Sequence, residues 1–268
     1  MKKVIIQGSI TVALFFATWL VLTQIDWVKL FKVEKVTDKT EEKLGELFWE
    51  IFQKTEKENK NPFVVNSIDS IITKICAANT INRDIIKVHV LDKDEINAFA
   101  LPGGHLIIYS GLIQNADNQE ELSGVICHEI AHIQLSHVMK KLVKEIGLTA
   151  LISMTTGNGS GEIIKETAKM ISSSAFDRSL EKEADIKAVD YLINAKINPE
   201  PFANFLYKLS VKENETTKYL TWISTHPESK ERAEYIIEKI KDNKVKFEKI
   251  LTTQTWEKLK TIVSVKEQ

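Results

Sequence analysis

Residues 119–142 carry the feature that most restricts this chain. The stretch is rich in helix formers, and Leu122, Val125, Ile126, Ile130 and Ile133 make an apolar stripe along it. Within the stripe stands His128-Glu129-Ile130-Ala131-His132. Histidines four apart share a helix face, about 5–6 Å apart at Cβ, so one metal ion can accept a ring nitrogen from each. Glu129 reaches the same rim and can take a proton from water acidified by that metal. Two imidazoles and a carboxylate in an apolar helix are costly unless something compensates them, and a metal does so. The competing reading is a core pair satisfied by other side chains. The HExxH spacing favours a zinc-dependent hydrolase, in particular a peptidase.

The 268 residues suffice for a sizeable core, read as one domain plus appendages. A net charge of -1, with bases dispersed among acids, gives no pull toward nucleic acid, and no nucleic-acid partner is expected. Cys76 and Cys127 make neither a disulfide framework nor a CxxC zinc knuckle. Cys127 points about 100° away from His128 around the helix, which suits a core role better than ligation.

Lys2 and Lys3 precede a charge-free run over residues 4–25, long enough for a bilayer core of about 30 Å. No small-x-small site closes the run. An uncleaved membrane anchor at 1–25 is therefore preferred to a signal peptide removed on secretion to the periplasm. The two lysines place the N-terminus in the cytoplasm and the rest on the extracytoplasmic side. Residues 26–60 read as a linker passing into an amphipathic helix around Leu44, Leu47, Phe48 and Ile51. Residues 61–268 form the catalytic domain.

In that domain the spacing predicts a helix over 64–78 and strands over 85–91, 95–101 and 105–108, with a turn at Pro102-Gly103-Gly104. The small sheet precedes the HExxH helix and can serve as scaffold or take an extended peptide by main-chain hydrogen bonds. A short apolar run at 146–154 and a glycine-rich loop at 157–161 follow. A second helical pattern covers 162–195, with a break near Ser172-Ser173-Ser174. Amphipathic helices are expected at 201–211, 233–240 and 255–263.

Two histidines do not complete a catalytic zinc site, which needs a third protein ligand. His137, five residues after His132, lies about 140° off its direction around the helix and cannot easily share the metal. Arg178-Ser179-Leu180-Glu181-Lys182-Glu183-Ala184-Asp185 offers three acids. Glu181 and Asp185 share a face, so one can bind metal while the other holds the outer nitrogen of a ligating histidine; Glu183 points elsewhere. The same residues also read as a solvated acidic turn pairing with Arg178 and Lys182.

Four segments in this order resemble the membrane-associated zinc metallopeptidases that include the CAAX prenyl endopeptidases, HtpX, BepA-like proteases and the mitochondrial OMA type. They are Asn97-Ala98-Phe99-Ala100-Leu101-Pro102-Gly103-Gly104, the HExxH helix with its later His137, Glu181-Lys182-Glu183-Ala184-Asp185, and Thr225-His226-Pro227 followed by Arg232. The resemblance spans roughly residues 64–240. It implies an α+β, mainly α, zincin-like fold, with a small β-sheet beside the HExxH helix and a C-terminal helical part. It implies one Zn²⁺ held by His128, His132 and Glu181, with Glu129 as catalytic base and Asp185 behind a ligating histidine. His226 and Arg232 belong to the catalytic cleft, His226 contacting the metal in a closed state or donating to an oxyanion. Phe99, Ala100 and Leu101 align a protein or peptide substrate. Asp177 stands where the family often has Ser, outside the ligands. HtpX-like members carry further membrane spans after the HExxH helix; no such run follows here. The implied activity is endoproteolysis in membrane or envelope protein quality control. The alternative is a latent or chaperone-like protein on a peptidase scaffold.

Overall fold

The computed structural model describes Gln7, Val12, Leu14, Phe16 and residues 33–157, 159–212, 222–227 and 229–264. The chain divides into two compact units, Met1–Thr40 and Glu41–Gln268. The site lies entirely in the second. The fold is α+β and mainly helical, as the sequence implied. Its elements in order are α1 (Val33–Thr55), α2 (Pro62–Ala78), β1 (Lys87–Leu91), β2 (Ala98–Ala100), β3 (His105–Tyr109), α3 (Ser110–Asn115), α4 (Gln119–Gln134), α5 (His137–Glu145), α6 (Leu148–Thr155), α7 (Gly161–Ser173), α8 (Arg178–Asn194), α9 (Glu200–Lys212), α10 (Ser229–Ile240) and α11 (Thr253–Ser264).

β3 is the centre of a three-stranded sheet of order β1-β3-β2, parallel to β1 and antiparallel to β2. Its sequence, His-Leu-Ile-Ile-Tyr, is buried throughout, because both faces of the strand are covered. Alternation sends Leu106 and Ile108 toward α2, α4, α8 and α9, where they join Val90, Ala98, Val125 and Ile126. Ile107 and Tyr109 face the other way, toward Leu44, Phe48 and Phe52 of α1 and toward α5–α7. Each fully buried Ile or Leu contributes about 1.5–3 kcal/mol, so the two clusters fix the sheet between helical layers.

α4 is buried on all sides over most of its length, which explains why its pattern is apolar with polar interruptions rather than two-faced. Asn118 caps it, its side chain accepting from the Glu121 amide at 2.9 Å. Gly124 lets α9 approach: a Cβ there would stand 2.4 Å from Phe202 Cβ.

Two expectations change and one holds. The HExxH helix does not run on to 142. It ends at Gln134, Ser136 takes a left-handed conformation (φ 53°, ψ 32°), and α5 starts at His137. The long pattern at 162–195 is two helices separated by residues 174–177, so the break expected near Ser172-Ser173-Ser174 is present. The membrane placement is also overturned. Residues 4–25 lie, apart from Gln7, Val12, Leu14 and Phe16, outside the described residues. Among the described residues no helix is long and apolar enough to cross a membrane. A span needs about 20 mostly apolar residues, and α1, although it has 23, is laced with Glu, Lys and Asp. The anchored, extracytoplasmic placement and its secreted alternative are therefore not carried further.

A second group of titratable residues ties α1 to the sheet. His89 Nε2 lies 3.0 Å from His105 Nδ1, His89 Nδ1 lies 3.1 Å from Glu58, and Trp49 stacks on His89 with centroids 3.5 Å apart. Burial, reinforced by His89 and Lys87 and opposed by Glu46, pushes His105 down to about 4. The unfolded chain therefore binds more protons than the folded one between pH 6.5 and 4, and stability falls as pH falls through that window. His105→Asn is expected to flatten the Tm-against-pH curve there, removing a dependence of up to about 3 kcal/mol. An unchanged slope would locate the acid sensitivity elsewhere.

Candidate metal centre

One turn of α4 brings His128 and His132 together, with their Nε2 atoms 3.0 Å apart. Glu181, in the first turn of α8, reaches both: Oε1 lies 3.3 Å from His132 Nε2 and Oε2 lies 3.6 Å from His128 Nε2. His226, from the segment 222–227, places Nδ1 3.0 Å from Glu181 Oε1 and 3.3 Å from His128 Nε2. Ligand atoms of these four residues lie within 4.8 Å of one another, and all four side chains are buried.

The outer nitrogens decide what the inner ones can do. His128 Nδ1 donates to Asp185 at 2.8 Å. His132 Nδ1 pairs with His137 Nδ1 at 3.1 Å, and His137 Nε2 pairs with Glu183 at 3.2 Å. A proton relay directed outward leaves bare lone pairs on both inner Nε2 atoms. Burial pushes His128 down to about 3 against the pull of Asp185 and Glu181, and burial also lowers His132. Both rings are neutral at pH 7. Two neutral lone pairs facing each other at 3.0 Å, with a carboxylate beside them, repel unless a cation sits between them. The donor set thus fits a metal ion with nitrogen and oxygen ligands.

Arg232 braces the cluster from α10. Its Nε and Nη2 each donate to Asp185 at 2.8 Å, its Nη1 lies 2.6 Å from Glu181, and Nη1 also donates to the His226 carbonyl at 3.2 Å. Tyr235 adds a hydrogen bond to Asp185. Burial would raise both carboxyl groups. Arg232 and His128 outweigh it at Asp185, and His226 and Arg232 do so at Glu181, so both are held well below the usual carboxylate range.

Glu129 stands apart from this network. It is 0% exposed, and neither carboxylate oxygen has a hydrogen-bond partner among the described residues. The Ala100 amide of β2 faces it and partly offsets the effect of burial, without the geometry of a full hydrogen bond. Burial, with Glu181 adding to it, pushes Glu129 well above the usual range. His226 Nε2 lies 3.4 Å from its Oε1. A buried carboxyl group kept free beside a nest of metal donors is arranged for proton transfer rather than for stability.

The structure therefore brings together His128, Glu129, His132, Glu181, Asp185, His226 and Arg232. The Ala100 amide faces the same point, while the side chains of Phe99, Ala100 and Leu101 all belong to the cluster on the α1 side of the sheet. His137 and Glu183, set aside on helical geometry, support His132 because the break at Ser136 re-aims the chain. Sequence spacing also missed the rings that wall the site: Phe176 stacks on His132 at 4.1 Å and Trp222 on His226 at 4.2 Å. Cys76 and Cys127 are both free and buried.

Residues 64–240, more than half of the chain, match the model of peptidase family M48. The chain belongs to that family. It is 26% identical over 182 residues to the β-barrel assembly-enhancing protease of Yersinia pestis, covering 62% of this chain and 37% of that protein. It is 25% identical over 183 residues to the mitochondrial metalloendopeptidase OMA1 of Schizosaccharomyces pombe, covering 68% and 54%. Against the metalloprotease LoiP of Escherichia coli it is 28% identical over 174 residues, covering 63% and 68%. The chain thus spans about a third to a half of the length of the first two of these M48 relatives.

Proposed function

We propose that this M48 chain is a zinc endopeptidase acting on extended segments of protein substrates, with residues 61–268 as the catalytic domain and residues 26–60 as linker and amphipathic helix. The observation that carries the reading is Glu129, buried and unpartnered beside converging metal donors and an edge strand. His128, His132 and Glu181 would hold Zn²⁺, which supplies Lewis acidity to water and to a scissile carbonyl. Glu129 takes the proton of the attacking water and returns it to the leaving amine. Asp185 and the His137–Glu183 pair keep the ligating rings in the tautomer that offers Nε2. Arg232 fixes Asp185 and Glu181 in place, and the edge of β2 aligns the substrate main chain. The relatives' names tie proteolysis to β-barrel assembly and to mitochondria, which supports a role in protein quality control.

A second observation favours a latent resting state of the same enzyme. His226 lies among the metal donors, and His128, Glu129, His132 and His226 are all 0% exposed. In this reading His226 closes the site at rest, and displacement of residues 222–227 opens it. Metal analysis of the purified chain is expected to give one zinc per chain. Cleavage of unfolded casein should be slow, abolished by a chelator, and faster in His226→Ala. A chain without zinc, or cleavage that survives the chelator, would refute the metal mechanism. A slower His226→Ala would make His226 a donor in the reaction rather than a latch.

A further inference from the structure

Lys141, on α5, is 5% exposed, and its ammonium has no carboxylate within ion-pair distance among the described residues. It donates instead to the Ser174 carbonyl and lies over the Phe176 ring, 4.5 Å from the centroid. Burial, only partly opposed by the more distant Glu145, Glu181 and Asp177, pulls the amine down to about 8. A buried ammonium without a counter-ion works against folding, and a methionine of similar length would avoid that cost. The charge is therefore explained by what it holds rather than by the stability of the chain.

What it holds is the turn at residues 174–177, between α7 and α8. A cation over a desolvated ring and a charged donor on a carbonyl both fix that turn. Phe176 stacks on His132 with centroids 4.1 Å apart, and its centroid lies 6.1 Å from that of His226 with the planes 21° apart. The Phe176 amide donates to the Thr225 carbonyl at 3.3 Å, one residue before His226. The turn thus covers two of the four metal donors and tethers the segment that brings His226 in. Lys144, also on α5, reaches Asp177 at 2.8 Å, but from an exposed position where such a pair contributes little. Of the two lysines, Lys141 is the one that bears on the site.

We propose that Lys141 is a positioning residue that holds the Phe176 turn closed over the metal centre and so sets how slowly the ion is released. This rests on the zinc-peptidase reading. The ammonium touches no metal donor. It acts through Phe176, which packs on His132, and through the Phe176 amide, which keeps the His226 segment in place. Without the charge the turn loosens, the rings part from the donors more often, and water and competing ligands reach the ion.

The test follows zinc release from the loaded full chain into an excess of a coloured chelator. Lys141→Met is expected to release zinc about tenfold faster or more, while Tm of the metal-free protein stays level or rises. Phe176→Leu should release zinc fast as well, and adding Lys141→Met to it should change little further, because the ammonium acts through the ring. Unchanged release in Lys141→Met overturns the inference, and so do independent, additive effects of the two substitutions. A fall in the metal-free Tm of Lys141→Met would assign the lysine to the fold and overturn it too. Failure of the peptidase reading looks different: a wild-type chain that holds zinc and leaves casein uncut fails that reading, and the release rates still decide the role of Lys141. A wild-type chain that holds no zinc overturns both.

Discussion

Glu129→Gln is expected to cut peptide hydrolysis by about a thousandfold while zinc stays bound at one per chain. The side chain is isosteric, lies outside the donor cluster, and has no hydrogen bond to lose among the described residues. The ligand geometry and the fold therefore have no reason to change. What is lost is the one carboxyl group able to move a proton between water and the leaving amine. Its free-chain pKa, raised by burial, is no obstacle, because a dipositive ion in the adjacent cluster favours the ionised form. The measurement is paired: metal content by mass spectrometry, and cleavage of unfolded casein at equal zinc loading. Retained zinc with undiminished cleavage would remove Glu129 from the mechanism. Lost zinc would mean that Glu129 supports the metal rather than the reaction.

How much of this was legible in the sequence depends on the range of the interaction. The ligand pair was legible because i,i+4 spacing is a local property of a helix, and His128 and His132 stay on one unbroken turn of α4. The three strands were legible from alternation, although β2 is only three residues long and lies within a longer apolar run. The end of α4 was not legible, because Leu135-Ser136 carries no Gly or Pro to announce a left-handed residue. That single dihedral change turns His137 from a bystander into the partner of His132. Asp185 could be placed on the Glu181 face from spacing. Its grip on Arg232 could not, because the two stand 47 positions apart and meet only through the packing of α8 on α10.

The largest effect on stability is expected at Arg232. This one guanidinium, 2% exposed, serves two buried carboxylates, Asp185 through two 2.8 Å hydrogen bonds and Glu181 at 2.6 Å. Arg232→Met keeps much of the volume but leaves both acids short of positive charge in a medium that solvates them poorly. Breaking a buried pair from one side costs about 3–5 kcal/mol, which for a domain of this size lowers Tm by about 10 °C. Most of that cost belongs to the abandoned carboxylates rather than to the lost attraction. Strong coupling between Arg232 and Asp185 is therefore expected. Asp185→Asn alone should also destabilise, since it strands Arg232 and loosens His128. The double variant, with neither charge of the Asp185–Arg232 pair left to solvate and only Glu181 still short of its partner, should be more stable than the sum of the two by about 2 kcal/mol or more. Chemical denaturation of the four metal-free proteins gives the coupling directly. Additive effects would mean that water reaches this pair and that α10 is held to α8 by its apolar contacts, Ala233 and Ile236 among them, rather than by the ion pair.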